Sequence, residues 1–186
     1  MQKLWHGSTD SPLTDMGQAQ ARQVAAYLAR TRPTVQEVYA SPLVRARHTA
    51  DAIATALGRS PRIDPGLAEY GIGTFEGELY ADLGGRHAFF ERAHADLEWA
   101  PDGGESLRAV ADRTVAAWRA IAAAHPQSEV VVVTHGAALA AGLATLLHDD
   151  PRLWQRYHTR NASVTELTLV PLTLVDFDRA DHLDPL

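Results

Sequence analysis

A three-layer α/β/α sandwich around a mostly parallel sheet is the fold class this sequence predicts, and three observations carry it. Short apolar runs alternate along the chain with longer stretches at helical spacing. Val130–Thr134 is apolar almost throughout and lies between two helical patterns, as expected of a strand covered on both faces of a parallel sheet. The 186 residues suffice for one such core and are too few for two, so 1–186 reads as a single domain.

Element by element, Gln2–His6 is a short strand. Thr14 caps a helix to about Arg30, with Ala21, Val24, Ala25 and Leu28 inward. Glu37–Ala40 is the next strand. Ser41 then caps a helix with Pro42 at its first position, Ala46, Ala50, Ile53, Ala54 and Leu57 on one stripe, and Gly58 as its stop. Arg62–Asp64 is a further strand, and the glycines between Gly66 and Gly77 make that stretch a loop. Tyr80–Trp99 is helical but interrupted at Gly84 and Gly85. Glu105–His125 carries the strongest helical stripe in the chain. After the strand at Val130–Thr134 come a small-residue helix over Ala137–Leu147 and strands over Ser163–Val170 and Leu172–Phe177.

Composition narrows the function classes. A net charge of −6 opposes nucleic acid and anionic lipid over the surface as a whole, so neither is an expected partner. Any attraction for an anion has to be local. The absence of cysteine removes disulfides, thiolate catalysis and cysteine-ligated metals. No segment approaches the roughly 18 apolar residues of a membrane span, and the amino terminus has no signal-like apolar stretch. The expected compartment is the cytoplasm; oligomeric state is not legible.

Two places share one design. His6-Gly7 ends the first expected strand and His135-Gly136 ends the most apolar one. In open α/β sheets ligands bind beyond the carboxyl ends of strands, and glycine lets the backbone approach a ligand closely. Either pair alone reads as a hydrogen-bonded bystander; both together, on strands expected to be neighbours, favour function. Arg45, in the first turn of a helix, is placed to fork a phosphoryl group. Glu69, in a glycine-rich loop over an apolar pocket, has the surroundings of a proton donor with a raised pKa.

These residues sit in motifs that resemble the histidine phosphatase superfamily, which also contains the cofactor-dependent phosphoglycerate mutases. The motifs are Trp5-His6-Gly7, Pro12-Leu13-Thr14 with Gly17 and Gln20-Ala21, Ser41 to Ala46 with Thr49-Ala50, and Leu67 to Gly77. Gly104-Glu105-Ser106 with Arg113, His135-Gly136 and Asn161 to Ser163 follow in order. The resemblance implies a phosphomonoester hydrolase acting on a small phosphorylated substrate. His6 would carry the phosphoryl group, Arg45 and His135 would hold its oxygens, and Glu69 would be the acid and base. Trp5, Gly7, Ser8 and Gly136 would line the substrate. Neither metal nor cofactor is implied, and inorganic phosphate is an expected ligand.

Two departures stand out. Trp5 occupies the position where the family carries arginine, and only Ser8 and Thr9 separate Gly7 from Asp10. Losing one such donor slows a typical site about a hundred- to a thousand-fold. Lys3, Arg22, Arg113 and Arg160 are the candidate substitutes, and Trp5 is either core filler or a surface for substrate to stack on. Three alternatives compete with a phosphatase: a non-catalytic phosphate-binding protein of the same fold, a mutase-type phosphoryl transfer, and a metal enzyme using His6, His135 and Glu69.

Overall fold

The hydroxyl of Thr14 accepts the Gly17 amide at 3.1 Å and starts α1 (Asp15–Thr31), whose buried residues are Ala21, Val24, Ala25 and Leu28, as the spacing predicts. The computed structural model describes residues 4–183. β1 (Glu37–Ala40) follows, with Val38 and Ala40 fully buried. α2 (Val44–Leu57) ends at Gly58, which adopts the left-handed conformation at φ 66°. Ser41 is not its cap. The chain stays extended through Leu43, and the carboxylate of Asp10 binds the Val44 amide at 2.8 Å. A full negative charge at the positive end of a helix dipole is the stronger partner.

β2 (Pro61–Ile63) is followed by two 3₁₀ turns, Pro65–Leu67 and Gly73–Phe75, within the expected loop. The glycines at 84 and 85 split the next helical stretch into α3 (Tyr80–Gly84) and α4 (Phe89–Ala95). α5 (Leu107–Ala124) is capped by the Ser106 hydroxyl, which accepts the Ala109 amide at 3.1 Å. β3 (Val130–Val133), α6 (Gly136–His148), a 3₁₀ segment at Pro151–Tyr157, β4 (Val164–Leu169) and β5 (Leu172–Arg179) complete the order. None of these helices is long and apolar enough to cross a membrane.

The parallel sheet runs β2-β1-β3, and β4 and β5 form an antiparallel pair. On one face Val38, Ala40, Val131 and Val133 meet Val24, Ala25 and Leu28 of α1 and Ala50, Ile53 and Ala54 of α2. On the other, Tyr39, Val130 and Val132 meet Ala117, Trp118 and Ile121 of α5 and Leu143 of α6. Helices on both faces of a parallel sheet make the three layers the sequence predicts.

Two expectations fail. Of the strand expected over Gln2–His6, Gln2 and Lys3 lie outside the described residues, and the described part does not pair with the sheet. Leu4 makes an isolated antiparallel bridge to Leu79, and Trp5 exchanges backbone hydrogen bonds with Glu78 and Gly77 at 3.0 Å. The Trp5 indole explains the choice, because it packs among Tyr70, Tyr80, Phe89, Phe90 and Trp154. Burying one large aromatic against others outweighs a short ladder. The second failure is β3, whose four valines are half-buried and not sealed on both faces. Its only ladder among the described residues is with β1.

Candidate active site

Beyond the carboxyl ends of β1 and β3, three side chains come together. His135 follows β3 and takes the cap position of α6, and its Nε2 lies 2.7 Å from the Oγ of the fully buried Ser41, which follows β1. Desolvation first, then the charges of Arg45 and Arg113, push its pKa down to about 3. At neutral pH this imidazole is therefore uncharged.

Glu69 accepts the amides of Tyr70 at 2.8 Å, Ala138 at 2.9 Å and Ala137 at 3.3 Å, so its carboxyl sits on the amino terminus of α6. Burial raises its pKa, and the amides and Arg45 offset only part of the rise. A carboxyl group held toward its protonated form beside an anion-binding helix end can donate a proton.

Arg45 is the second residue of α2. Its guanidinium spans the turn after Trp5, with Nη2 donating to His6 O at 2.8 Å and Gly7 O at 3.0 Å, and Nη1 to Thr9 O at 3.1 Å. Desolvation lowers its pKa, against the charges of Glu69, Asp10 and Glu76.

Around this centre runs a shell that the sequence did not disclose. Glu76 gathers the amides of Gly7, Ser8 and Thr9 at 2.9, 2.9 and 3.2 Å, the Ser8 hydroxyl at 3.1 Å and the Ile72 amide at 3.1 Å. Burial alone would raise its pKa, but these hydrogen bonds win and lower it. Gly7 is required here by contact, since a Cβ would collide with Tyr70 O and the Glu76 carboxylate. Arg113 pairs with Glu105 at 2.7 Å and donates to the carbonyls of Gly66, Ala68 and Glu69 at 2.7–3.1 Å. It thereby fixes the loop that carries Glu69. Ser41 acts on His135 across 94 residues of sequence, Asp10 on Val44 across 34 and Glu76 on Gly7 across 69. Their only local signal is a small or acidic polar residue, beside Pro42 for Ser41 and beside Gly77 for Glu76.

The other expected site residues are dispersed. His6 reaches the centre through its main chain, and its Nδ1 is buried without a hydrogen-bond partner among the described residues. Ser8 is exposed and turned to Glu76. Gly136 is exposed in the first turn of α6, with open space where a Cβ would stand. Trp5 is committed to its aromatic neighbours and takes the filler role, its Nε1 pointing at Tyr70 O at 3.4 Å. Lys3 lies outside the described residues. Arg22 lines a groove with His48 and Asp51 between α1 and α2, and Arg160 pairs with Asp178. Among the three described candidates, Arg113 is the one whose charge bears on His135. His6, His135 and Glu69 do not form a metal-binding group, and no three described His, Asp or Glu side chains do.

Residues 1–172 match the model of the histidine phosphatase superfamily, branch 1. The chain is 33% identical over 165 residues to a probable phosphoglycerate mutase GpmB of Proteus mirabilis, covering 87% of this chain and 75% of that protein. It is 32% identical over 176 residues to the glucosyl-3-phosphoglycerate phosphatase of Mycobacterium tuberculosis, covering 87% and 76%. A mycobacterial glucosyl-3-phosphoglycerate phosphatase solved in complex with VO3 superposes with a TM-score of 0.80 at 30% identity, over 95% of this chain and 91% of that one. With two histidine-glycine turns, an arginine at a helix start and a carboxyl on a helix amino terminus already in place, these similarities agree with the fold: the chain belongs to branch 1 of the histidine phosphatase superfamily.

Proposed function

We propose that the protein is a phosphomonoester hydrolase acting on a small phosphorylated substrate. The observation that carries the reading is the cluster of Arg45, Glu69 and His135 at the carboxyl ends of two parallel strands. A phosphoryl group there would meet a guanidinium, a neutral imidazole that can donate or accept a hydrogen bond, and a carboxyl group held toward its acid form. Charge in a loose transition state gathers on the equatorial oxygens, where Arg45 and His135 supply donors. Glu69 would protonate the leaving oxygen and then take a proton from the attacking water. The Arg45 guanidinium supplies the positive charge, so in this reading turnover would proceed without a metal. Relatives named as phosphatases for a glucosyl phosphoglycerate, one of them solved with a vanadium oxyanion, support a small phosphorylated substrate.

The phosphoryl acceptor in this reading is His6, whose backbone lies against Arg45 and whose Nδ1 is unengaged. Rapid quenching of a turnover mixture, followed by mapping of acid-labile, base-stable phosphate, tests it. Label on His6 in the wild type and none in His6→Ala is the expected result; a full rate in His6→Ala removes His6 from the mechanism. A second reading, phosphate binding without turnover, is favoured by one observation: Leu4 and Trp5, the described residues before His6, pair with residues 77–79. Vanadate binding with no phosphate release from any ester would establish it.

A further inference from the structure

The Ser41 hydroxyl stands between two nitrogens. Its Oγ accepts the Leu43 amide at 3.2 Å and lies 2.7 Å from His135 Nε2. The residue is fully buried, and its own amide is tied to the Val133 carbonyl at 2.9 Å, at the end of the strand that leads into His135. A hydroxyl has one hydrogen to give. The Leu43 amide is itself a donor and cannot take it, so among the described residues the acceptor it meets is His135 Nε2. In the opposite arrangement Nε2–H would donate to Ser41. The oxygen would then face two donors and its own hydrogen would be stranded in the interior, where an unmade hydrogen bond is costly. Burial keeps His135 neutral at pH 7. A neutral ring carries one proton, and with Nε2 bare that proton is on Nδ1.

The amino terminus of α6 agrees. A capping side chain accepts the amide of the second or third helical residue. His135 holds the cap position, yet its side chain makes no such bond. The amides concerned, of Ala137 and Ala138, go to Glu69 instead. An imidazole protonated at Nδ1 has no lone pair there to offer them.

We infer that Ser41 is a positioning residue that fixes His135 in its Nδ1–H tautomer, so that the imidazole meets an oxyanion as a hydrogen-bond donor. Its part in phosphate chemistry rests on the phosphatase reading, whereas the tautomer belongs to the resting protein. The Nδ1–H would add a donor at the start of α6, near the charge of Arg45 and next to Gly136, where the space a Cβ would take is open. With the proton on Nε2 the same ring would turn a lone pair toward the anion and repel it. Ser41 thus acts through His135.

Long-range proton–nitrogen correlation spectra of the protein labelled with 15N at histidine test the inference, because protonated and bare ring nitrogens resonate far apart. The His135 signals are those that His135→Gln removes. At pH 7 the wild type should show a protonated Nδ1 and a bare Nε2, and the reverse pattern would overturn the inference. This arm needs no Ser41 variant, so it stands whether or not a substitution folds. Ser41→Ala should shift the ring toward Nε2–H, and Ser41→Thr, which keeps the hydroxyl, should retain the wild-type pattern. Apparent affinity scales with the fraction of competent form, so a variant left with about one-tenth Nδ1–H should bind vanadate about ten-fold more weakly. Weaker vanadate binding with the tautomer unchanged would make Ser41 merely structural and overturn its role. Saturating vanadate should also move the wild-type Nδ1 signal, and an unmoved signal would overturn the donor role. A wild type that holds Nδ1–H and binds vanadate through it, yet releases phosphate from no ester, would support this inference and contradict the phosphatase reading alone.

Discussion

Lowering the pH from 7 to 5 should destabilise the protein through His135, and the magnitude can be worked from its surroundings. In the unfolded chain this histidine titrates near 6.5; in the fold, desolvation and the charges of Arg45 and Arg113 hold it at about 3. A depressed folded value means that the unfolded state binds the proton first, so stability is full above about pH 6.5 and falls as pH drops toward 3. For a shift of this size the linkage relation gives about 2 kcal/mol lost between pH 7 and 5, and about 1 kcal/mol after allowing for partial solvent access. Glu69 works in the opposite sense, because its raised value makes the fold bind a proton more readily than the unfolded chain does. The two are separated by His135→Gln, which can still hydrogen-bond Ser41. Urea unfolding of both proteins at pH 7 and 5 provides the assay. The wild type should lose about 1–2 kcal/mol more than the variant. Equal losses in the two proteins would refute a buried neutral His135.

Glu69→Gln should slow hydrolysis of alkyl phosphates far more than that of activated aryl phosphates, because a weakly basic leaving oxygen needs little protonation. Equal losses on both substrate types, measured as kcat, would remove Glu69 from the acid role. Arg113→Met should cost about 3 kcal/mol, because three loop carbonyls and the Glu105 carboxylate lose their donor. In a chain of this size that is a fall of roughly 6–12 °C in Tm, and an unchanged Tm would show that the loop holds itself.

Much of this molecule is legible locally. α1 and α5 follow from helical spacing plus Thr14 and Ser106 as caps, and the break at Gly84 and Gly85 follows from glycine alone. Arg45, Glu69 and His135 were legible because each sits at an element end with a small or glycine neighbour. The described part of the first expected strand pairs elsewhere because a short strand-like run says nothing about what competes for Trp5. The five rings around it come from positions 70 to 154, which no local window contains. The same reason hides Asp10 as the cap of α2 and Glu76 as the partner of residues 7 to 9. β3 was legible as a strand, but whether both of its edges are paired is a property of the assembled sheet.

The most direct test of the central claim is steady-state release of phosphate from a panel of small phosphomonoesters, with chelator present, for the wild type beside Arg45→Met. The account predicts metal-independent release inhibited by vanadate, and a loss in the variant of about a hundred- to a thousand-fold, the usual cost of one donor to a developing oxyanion. Release at the same rate from both proteins, or from neither on any ester, would contradict the assignment of phosphate chemistry to the Arg45, Glu69 and His135 cluster.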